Sequence, residues 1–597
     1  MMKKFILIVC GSFVGAFLAF LFFMFAAMIM SIGMMGTMGS SKKVTPVTKN
    51  SVLVLDLGTT ITERGGSDPL DMMSLLQGEG MPVSMGLNTI IAGIGKAAEN
   101  DKIDGIFIKC NGVSGAPATL EAIRHALKDF KKSGKWIAAY GYEGINQADY
   151  YLASVADSIY LNPVGSVDIH GMASMTPYMK KLLDKVGVEM QIIRVGTFKS
   201  AVEPYMLDDM SDANRLQQEH YLGAIWKEML DSIAKDRKLT SVALNTLADS
   251  IVVTFDAERL VKEKLVDKLV YKKEMNDILC QRLGVEDVED INTVYCGDLA
   301  TDLEETASGD HIAVVYAVGE IDGSSSFGSS NEGIDTEDLS GTIYDLIDDD
   351  NVKGMVLRVN SPGGSAFGSE QLWKAIEDFK ATGRPVAVSM GDYAASGGYY
   401  ISCGADRIFA ERTTITGSIG IFGMIPCASE LIENKLGVHM ASVKTNENAD
   451  MTGLYKKLTP SQTASLQQMI NKGYDLFTKR CANGRHVTQD SIKQIAEGRV
   501  WDGVTAKQIG LVDEFGGVAE AVAWVANKAK LGKDYKTQNY PALKDPFQSM
   551  LDKYMVTRYE SRLQSEMGLL YDWHKQLQRI LGRDHILCLM PEGEISL

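Results

Sequence analysis

The sequence predicts an α/β fold in which one unit is used twice, preceded by an apolar N-terminal segment. Three features carry that expectation. One is an uncharged run near the start, and another is a self-match at a nearly fixed offset. The third is the alternation, within each copy, of short β-rich runs with amphipathic helical patterns.

The uncharged run is FILIVCGSFVGAFLAFLFFMFAAMIM (5–30), which follows Lys3 and Lys4 and contains no proline. A membrane-spanning helix needs about 20 apolar residues. A secretory leader has a shorter core, about 7–15 residues, and ends near an A-x-A-like site. Ala26-Ala27 match that site poorly, so the expectation is an uncleaved anchor rather than a leader. Lys42 and Lys43 nearly balance Lys3, Lys4 and the terminal amine, which leaves only a slight lean toward N-terminus inside.

With 597 residues, 45% hydrophobic and 23% charged, the chain has the composition of a folded protein of two or three domains. Its formal charge of −16 argues against a nucleic-acid partner, whose backbone demands concentrated positive charge. The eight cysteines form no CxxC pair and no metal-ligand spacing, so neither a disulfide framework nor a zinc site is expected.

The self-match begins with NSVLVLDLG (50–58) and DHIAVVYAVG (310–319), both apolar runs of strand length. IDGIFIKCNGVSG (103–115) then lies over VKGMVLRVNSPGG (352–364), placing Asn111 on Asn360 at an offset of 249 residues. Without a gap, Asp129-Phe130-Lys131 falls on Asp378-Phe379-Lys380, Gly134 on Gly383, Tyr150-Tyr151 on Tyr399-Tyr400, and Ala156-Asp157 on Ala405-Asp406. After a three-residue insertion, GSVDIHGM (165–172) meets GSIGIFGM (417–424). Each copy reads strand, loop, amphipathic helix, glycine stop, strand, the order of a largely parallel sheet. The expected organisation is therefore an anchor and linker over 1–45, a first repeat over 46–305, a second over 306–540, and a tail over 541–597. Residues 545–581 of that tail are helical in pattern, as either a docking element or a helix packed on its own domain.

The duplication makes each copy a control for the other. Within GDYAASGGYY (391–400), Ser396 falls on Gln147, and AASGG falls on INQAD. The first copy keeps the tyrosine pair but lacks the serine and its small neighbours, which points to a functional serine. A serine nucleophile needs a base. None of the eight histidines lies in a stretch resembling a triad motif; His170 falls on Phe422 and reads as structural. Asp392 reads as a cap for the helix beginning at Ser396 rather than as a catalytic acid. A lysine serves only as the neutral amine, and lowering its pKa from about 10.4 to 7–8 takes about 4 kcal/mol from burial and nearby positive charge. RVGTFKSAVEPY (194–205) offers Lys199 beside Phe198, Ala201 and Val202; the alternative is a surface lysine paired with Glu203.

The stretches GTFKSAVEP and GDYAASGGYY, in that order on a duplicated chain behind one anchor, resemble the long, two-copy form of the S49 serine protease family. That family's fold is related to those of the ClpP protease and the crotonases, and the resemblance covers nearly all of 1–540. It implies that the first copy supplies the lysine and the second the serine, which are Lys199 and Ser396 here. Near an offset of 250, Lys199 falls on Ala449, so each copy holds one half of the pair. The resemblance further implies a Ser/Lys endopeptidase acting on remnant signal peptides, with no metal or organic cofactor. It also implies a single-pass anchor in a bacterial inner membrane, an extracytoplasmic (periplasmic) body and a bowl-shaped homotetramer.

Two more stretches fit acyl transfer. NSPGGS (360–365) presents the N–H groups of Gly363 and Gly364, which with that of Gly397 are candidate oxyanion donors; a plain turn is the alternative. TGSIG (416–420) offers Ser418 as a partner for the lysine amine, although Gly165-Ser166 recur in the copy without a nucleophile, as a structural residue would. Two other functions fit the same fold: a crotonase-like acyl-thioester enzyme, and an inactive membrane scaffold.

Overall fold

A computed structural model describes residues 46–65, 84–322, 333–451, 454–532, 534–543, 586–590 and 594–596. The chain divides into two compact units, Met1–Thr48 and Lys49–Leu597. Apart from 46–48 the first unit lies outside the described residues, and the expected anchor at 5–30 lies there with it. Among the described residues no helix is long and apolar enough to cross a membrane.

Within the second unit the two copies build the same sheet twice. In the first copy the parallel order is Lys268–Leu269, Ser158–Leu161, Trp136–Gly141, Ile103–Cys110, Ser51–Asp56, Asn292–Val294. In the second copy Glu514–Phe515, Arg407–Ala410, Val386–Ala395, Val352–Ser361, His311–Val318 and Lys536–Tyr540 repeat that order, again in parallel. Strands covered on both faces read as unbroken apolar runs. Accordingly all six residues of Ser51–Asp56 are buried, as are all of His311–Val318 but its last. Helices Pro117–Lys131 and Ala366–Ala381 fill equivalent places, burying Leu120, Ile123, Leu127 and Phe130 in one copy and Leu372, Ile376 and Phe379 in the other. Gly134 and Gly383, with φ of 81° and 84°, reverse the chain just past the helix ends, as glycine does without a Cβ penalty.

A further sheet joins the copies. Glu189–Val195 of the first copy pairs antiparallel with Ile421–Cys427 of the second over seven residue pairs, from Glu189 opposite Cys427 to Val195 opposite Ile421. The same sheet continues through Ile586–Leu589, Gly363–Ser365, Glu320–Asp322 and Gly333–Asp335. Ile193 packs into the second copy's core beside Ile419 and Ile421, so the joint is apolar as well as hydrogen-bonded. The NSPGG stretch links two strands: Asn360 and Ser361 end Val352–Ser361, Pro362 lies between, and Gly363 and Gly364 open the strand Gly363–Ser365 of this joining sheet. Its two glycines admit close neighbours: a Cβ on Gly364 would stand 2.0 Å from the Ile321 carbonyl oxygen, and one on Gly363 2.0 Å from that of Cys588. The tail contributes two described strands, Ile586–Leu589 and Glu594–Ser596; the helical pattern at 545–581 lies outside the described residues.

Buried polar contacts fix the joint further. Arg358 (3% exposed) donates from Nε and Nη2 to the Glu63 carboxylate at 2.9 and 3.1 Å. Asp392 caps a helix, but not the expected one. It lies in the Val386–Ala395 strand and accepts from the Thr119 backbone N–H (2.8 Å) and hydroxyl (2.6 Å), in the first turn of the first copy's Pro117–Lys131 helix. The preceding residue Ala116 has no side chain able to cap, and the carboxylate comes from the other copy.

This cap across the copies yields a graded stability series. Asp392→Ala leaves the Thr119 N–H and hydroxyl unpaired and should cost about 2 kcal/mol in denaturant unfolding. Thr119→Val removes only the hydroxyl bond and should cost about 1 kcal/mol. Equal, negligible effects of the two substitutions would mean that the cap does not hold the copies together.

Candidate active site

Ser396 stands where the Val386–Ala395 strand turns directly into the Gly397–Ser402 helix. Its φ of 56° and ψ of −112° are strained for a residue with a Cβ, at a cost of order 1–3 kcal/mol. The turn is pinned at both ends: its N–H donates to the Gly417 carbonyl (2.8 Å), and its carbonyl accepts from the Tyr400 N–H (2.8 Å). The small neighbours serve this turn. A Cβ on Gly398 would stand 2.6 Å from the Ser361 carbonyl oxygen, and one on Gly397 2.6 Å from the Ser369 hydroxyl. At the equivalent place Gln147 is buried and its side chain fills the site. Its Oε1 accepts from the His170 and Gly171 N–H groups (2.9 Å each), and its Nε2 donates to the Gly171 carbonyl (2.8 Å).

Lys199 arrives from the other copy. The Glu189–Val195 strand ends four residues before it, and the chain then passes into the second copy, where the Phe198 N–H donates to the Glu497 carbonyl (3.0 Å). The amine is fully buried, and Nζ lies 2.7 Å from Ser396 Oγ, across 197 residues of sequence. Nζ also donates to the Ser418 carbonyl and hydroxyl, both at 3.0 Å, while Ser418 Oγ reaches the Gly498 carbonyl at 3.3 Å. Ser418 itself has a positive φ of 49°, held by its N–H bond to the Arg499 carbonyl (2.7 Å). The alternative surface pairing of Lys199 with Glu203 does not form. Glu203 is buried and instead accepts from the Ser211 hydroxyl at 2.6 Å.

Burial lowers the lysine pKa from 10.5 to about 7. The expected help from a positive charge is missing; desolvation alone does the lowering, because removing water penalises the charged form. Two glycines unmarked in the sequence reading make room for the alkyl chain. A Cβ on Gly498 (φ 77°) would stand 2.6 Å from Lys199 Cβ, and one on Gly420 3.2 Å from its Cδ. In the repeat match Gly420 falls on Asp168, a difference of the kind that marked Ser396, whereas Gly498 lies outside the matched stretches.

Of the candidate oxyanion donors, Gly363 and Gly397 adjoin: a Cβ on Gly363 would stand 2.7 Å from the Gly397 nitrogen. Gly364 follows in the same strand. The Gly363 N–H donates to Ser361 Oγ at 3.2 Å, so that donor is already engaged. The arrangement thus brings together a strained serine hydroxyl, an amine that is half neutral near pH 7, and backbone N–H groups, the parts needed for acyl transfer.

Among the described residues one group of side chains is close enough to hold a metal ion: Glu121, His125 and Glu411, with ligand atoms within 4.8 Å of one another. It lies elsewhere on the joint between the copies. Burial, then the neighbouring Glu411, pushes the Glu121 carboxyl up to about 7, and its Oε2 accepts from the Thr413 N–H and hydroxyl at 3.0 and 2.7 Å.

The chain is similar to known peptidases. The sequence profile of peptidase family S49 matches residues 129–286 and 378–532, one stretch in each copy. Protease 4 of Haemophilus influenzae is 36% identical over 502 residues, covering 82% of this chain and 80% of that protein. Protease 4 of Salmonella typhi is 40% identical over 456 residues, covering 74% and 72%. A chloroplastic serine protease SPPA of Arabidopsis thaliana is 30% identical over 445 residues, covering 73% and 64%. With both copies matched and relatives aligned over most of its length, the chain belongs to peptidase family S49.

Proposed function

We propose that this S49 peptidase is a membrane-anchored endopeptidase with a Ser396/Lys199 dyad that degrades remnant signal peptides. One observation carries the reading: a fully buried amine, with its pKa brought to about 7, stands 2.7 Å from the hydroxyl of a strained serine. Ser396 Oγ attacks the peptide carbonyl carbon while its proton passes to neutral Lys199. Ser418 holds the amine in line through its carbonyl and hydroxyl. The oxyanion develops beside Gly397, with Gly363 and Gly364 in the adjoining strand; the Gly363 N–H joins by leaving Ser361 Oγ. Collapse breaks the C–N bond as Lys199 returns its proton to the leaving amine, and water then releases the acyl group.

The remaining parts belong to the same reading. The repeats span 46–305 and 306–540, and the apolar run at 5–30 forms a single-pass anchor in a bacterial inner membrane. The body is extracytoplasmic and assembles as a homotetramer, which places the site near apolar peptides at a membrane. Signal-peptide remnants are such peptides. A fluorophosphonate labelling Ser396, together with peptide hydrolysis lost in a folded Ser396→Ala chain, tests the activity. Failure of both would favour an acyl-thioester enzyme or an inactive scaffold.

The pH profile follows from the amine. Since neutral Lys199 is the active form, kcat/KM should rise with pH through an apparent pKa near 7 and then level off. Lys199→Arg should lose at least about a thousandfold, because guanidinium keeps its proton. An arginine variant with near-normal turnover would rule out the base.

The supporting glycine gives a second check. Gly498→Ala drives a methyl group into the Lys199 stem and adds strain at positive φ. It should lower kcat/KM by at least about 100-fold and displace the pH profile. An unchanged profile at full activity would show that the stem needs no such space.

A further inference from the structure

The group formed by Glu121, His125 and Glu411 takes no part in the acyl-transfer chemistry, yet its side chains are arranged as ligands are. Glu121 and His125 stand one turn apart on the Pro117–Lys131 helix of the first copy and so share a face. Glu411 comes from the second copy, where it follows the Arg407–Ala410 strand. There the Glu411 N–H donates to the Thr414 hydroxyl at 3.0 Å, which fixes the turn. Glu121 is also held, because both bonds from Thr413 go to its Oε2. Its Oε1 is left on the side of His125, whose Nε2 lies 3.9 Å away.

Two carboxylates buried in one place need a counter-charge. Glu121 is 4% exposed and Glu411 2%. The nearby cations are committed to other acids, Arg124 and Lys128 to Asp236, and Arg412 to Glu228. Among the described residues His125 is the one basic side chain that pairs with either carboxylate. Glu411 Oε2 is buried and accepts no hydrogen bond. His125 Nδ1 stands 3.3 Å from it, outside the alignment that a hydrogen bond needs. A buried anionic oxygen without a donor is costly unless something else binds it. Burial first, and the Glu411 charge second, hold the Glu121 carboxyl up at about 7, which records the same lack of positive charge.

One imidazole nitrogen and two carboxylate oxygens are ligands that zinc accepts, with water in the fourth place. The His125 side chain is 49% exposed, which gives an entry path and room for that water. The ligand atoms lie within 4.8 Å of one another, against about 3.3 Å across a tetrahedral shell with bonds of about 2.0 Å. Closing the gap takes small rotations of the exposed ring and of the unpaired Glu411 carboxylate. We propose that Glu121, His125 and Glu411 form a divalent metal site of the zinc type that bridges the two copies. The bound ion neutralises both carboxylates and ties the helix of one copy to the strand end of the other. Its role is structural, and the site stands independently of the peptidase reading.

The test uses the full chain in detergent, stripped with EDTA and titrated with zinc ion alone at about pH 8, where the ligands are free of protons. Calorimetry should show one ion bound per chain at this site. Saturating zinc should raise the melting temperature by at least about 3 °C. His125→Ala removes a half-exposed side chain and should weaken zinc binding at least about tenfold, abolishing the gain in melting temperature. Glu411→Gln keeps the shape of the side chain, deletes its charge and should do the same. Cobalt ion, as a second probe, should give visible absorption bands that both variants lose. A wild type that binds no zinc would overturn the proposal, leaving the three side chains to share a proton. Zinc bound equally by wild type and both variants would overturn it too, by placing the ion elsewhere. If Glu411→Gln does not fold, His125→Ala alone decides.

Discussion

Keeping the amine of Lys199 dry is the constraint to which the surrounding structure answers. Lowering its pKa from 10.5 to about 7 costs the folded state about 4 kcal/mol at pH 7 relative to a hydrated lysine. The sign is that of a depressed base: the penalty is fully present below the folded pKa and fades as pH rises toward 10.5. No single contact offsets such a cost. It is spread over the bonds to Ser396 and Ser418, the glycines along the stem, and the seven-pair strand that delivers the lysine. Burial does the lowering unaided, so the enclosure has to be complete, and it is the packing of one copy against the other that completes it.

Much of this was readable from the duplication. The matched sheets follow from runs such as SVLVLD and HIAVVYAV, whose unbroken apolar character suits strands covered on both faces. Ser396 stood out because its copy, Gln147, keeps the scaffold without the small neighbours. The structure adds the reason: Gln147 plugs the vacant site with its own amide, while Ser396 occupies a strained turn. Lys199 was legible as a residue type in a packed context, though its spacing to Glu203 fitted a surface pair equally well.

What the sequence concealed depends on contacts between distant segments. Asp392 looked local because it precedes a helix by a few residues, yet the N–H it caps belongs to Thr119 in the other copy. NSPGG fitted a plain turn as well as an oxyanion site, because proline and glycine usually mark turns. Here the glycines instead let Ile321 and Cys588 approach the backbone from either side. Gly498 carries no local signal, since its requirement comes from a side chain about three hundred residues earlier.

The register of Glu189–Val195 against Ile421–Cys427 has a consequence for the life of the chain before it is complete. Side chains on a strand alternate faces, so a shift that preserves the buried face moves the strand by two residues, or about 7 Å. That distance exceeds any hydrogen bond, and the pairing therefore behaves as a latch with one engaged position. During synthesis the lysine emerges first, with no hydroxyl to act on. The serine follows almost two hundred residues later, and the Arg499 carbonyl that steadies Ser418 comes later still. On the Ser396/Lys199 reading proposed above, a half-made or misdocked chain is chemically silent until the two copies dock.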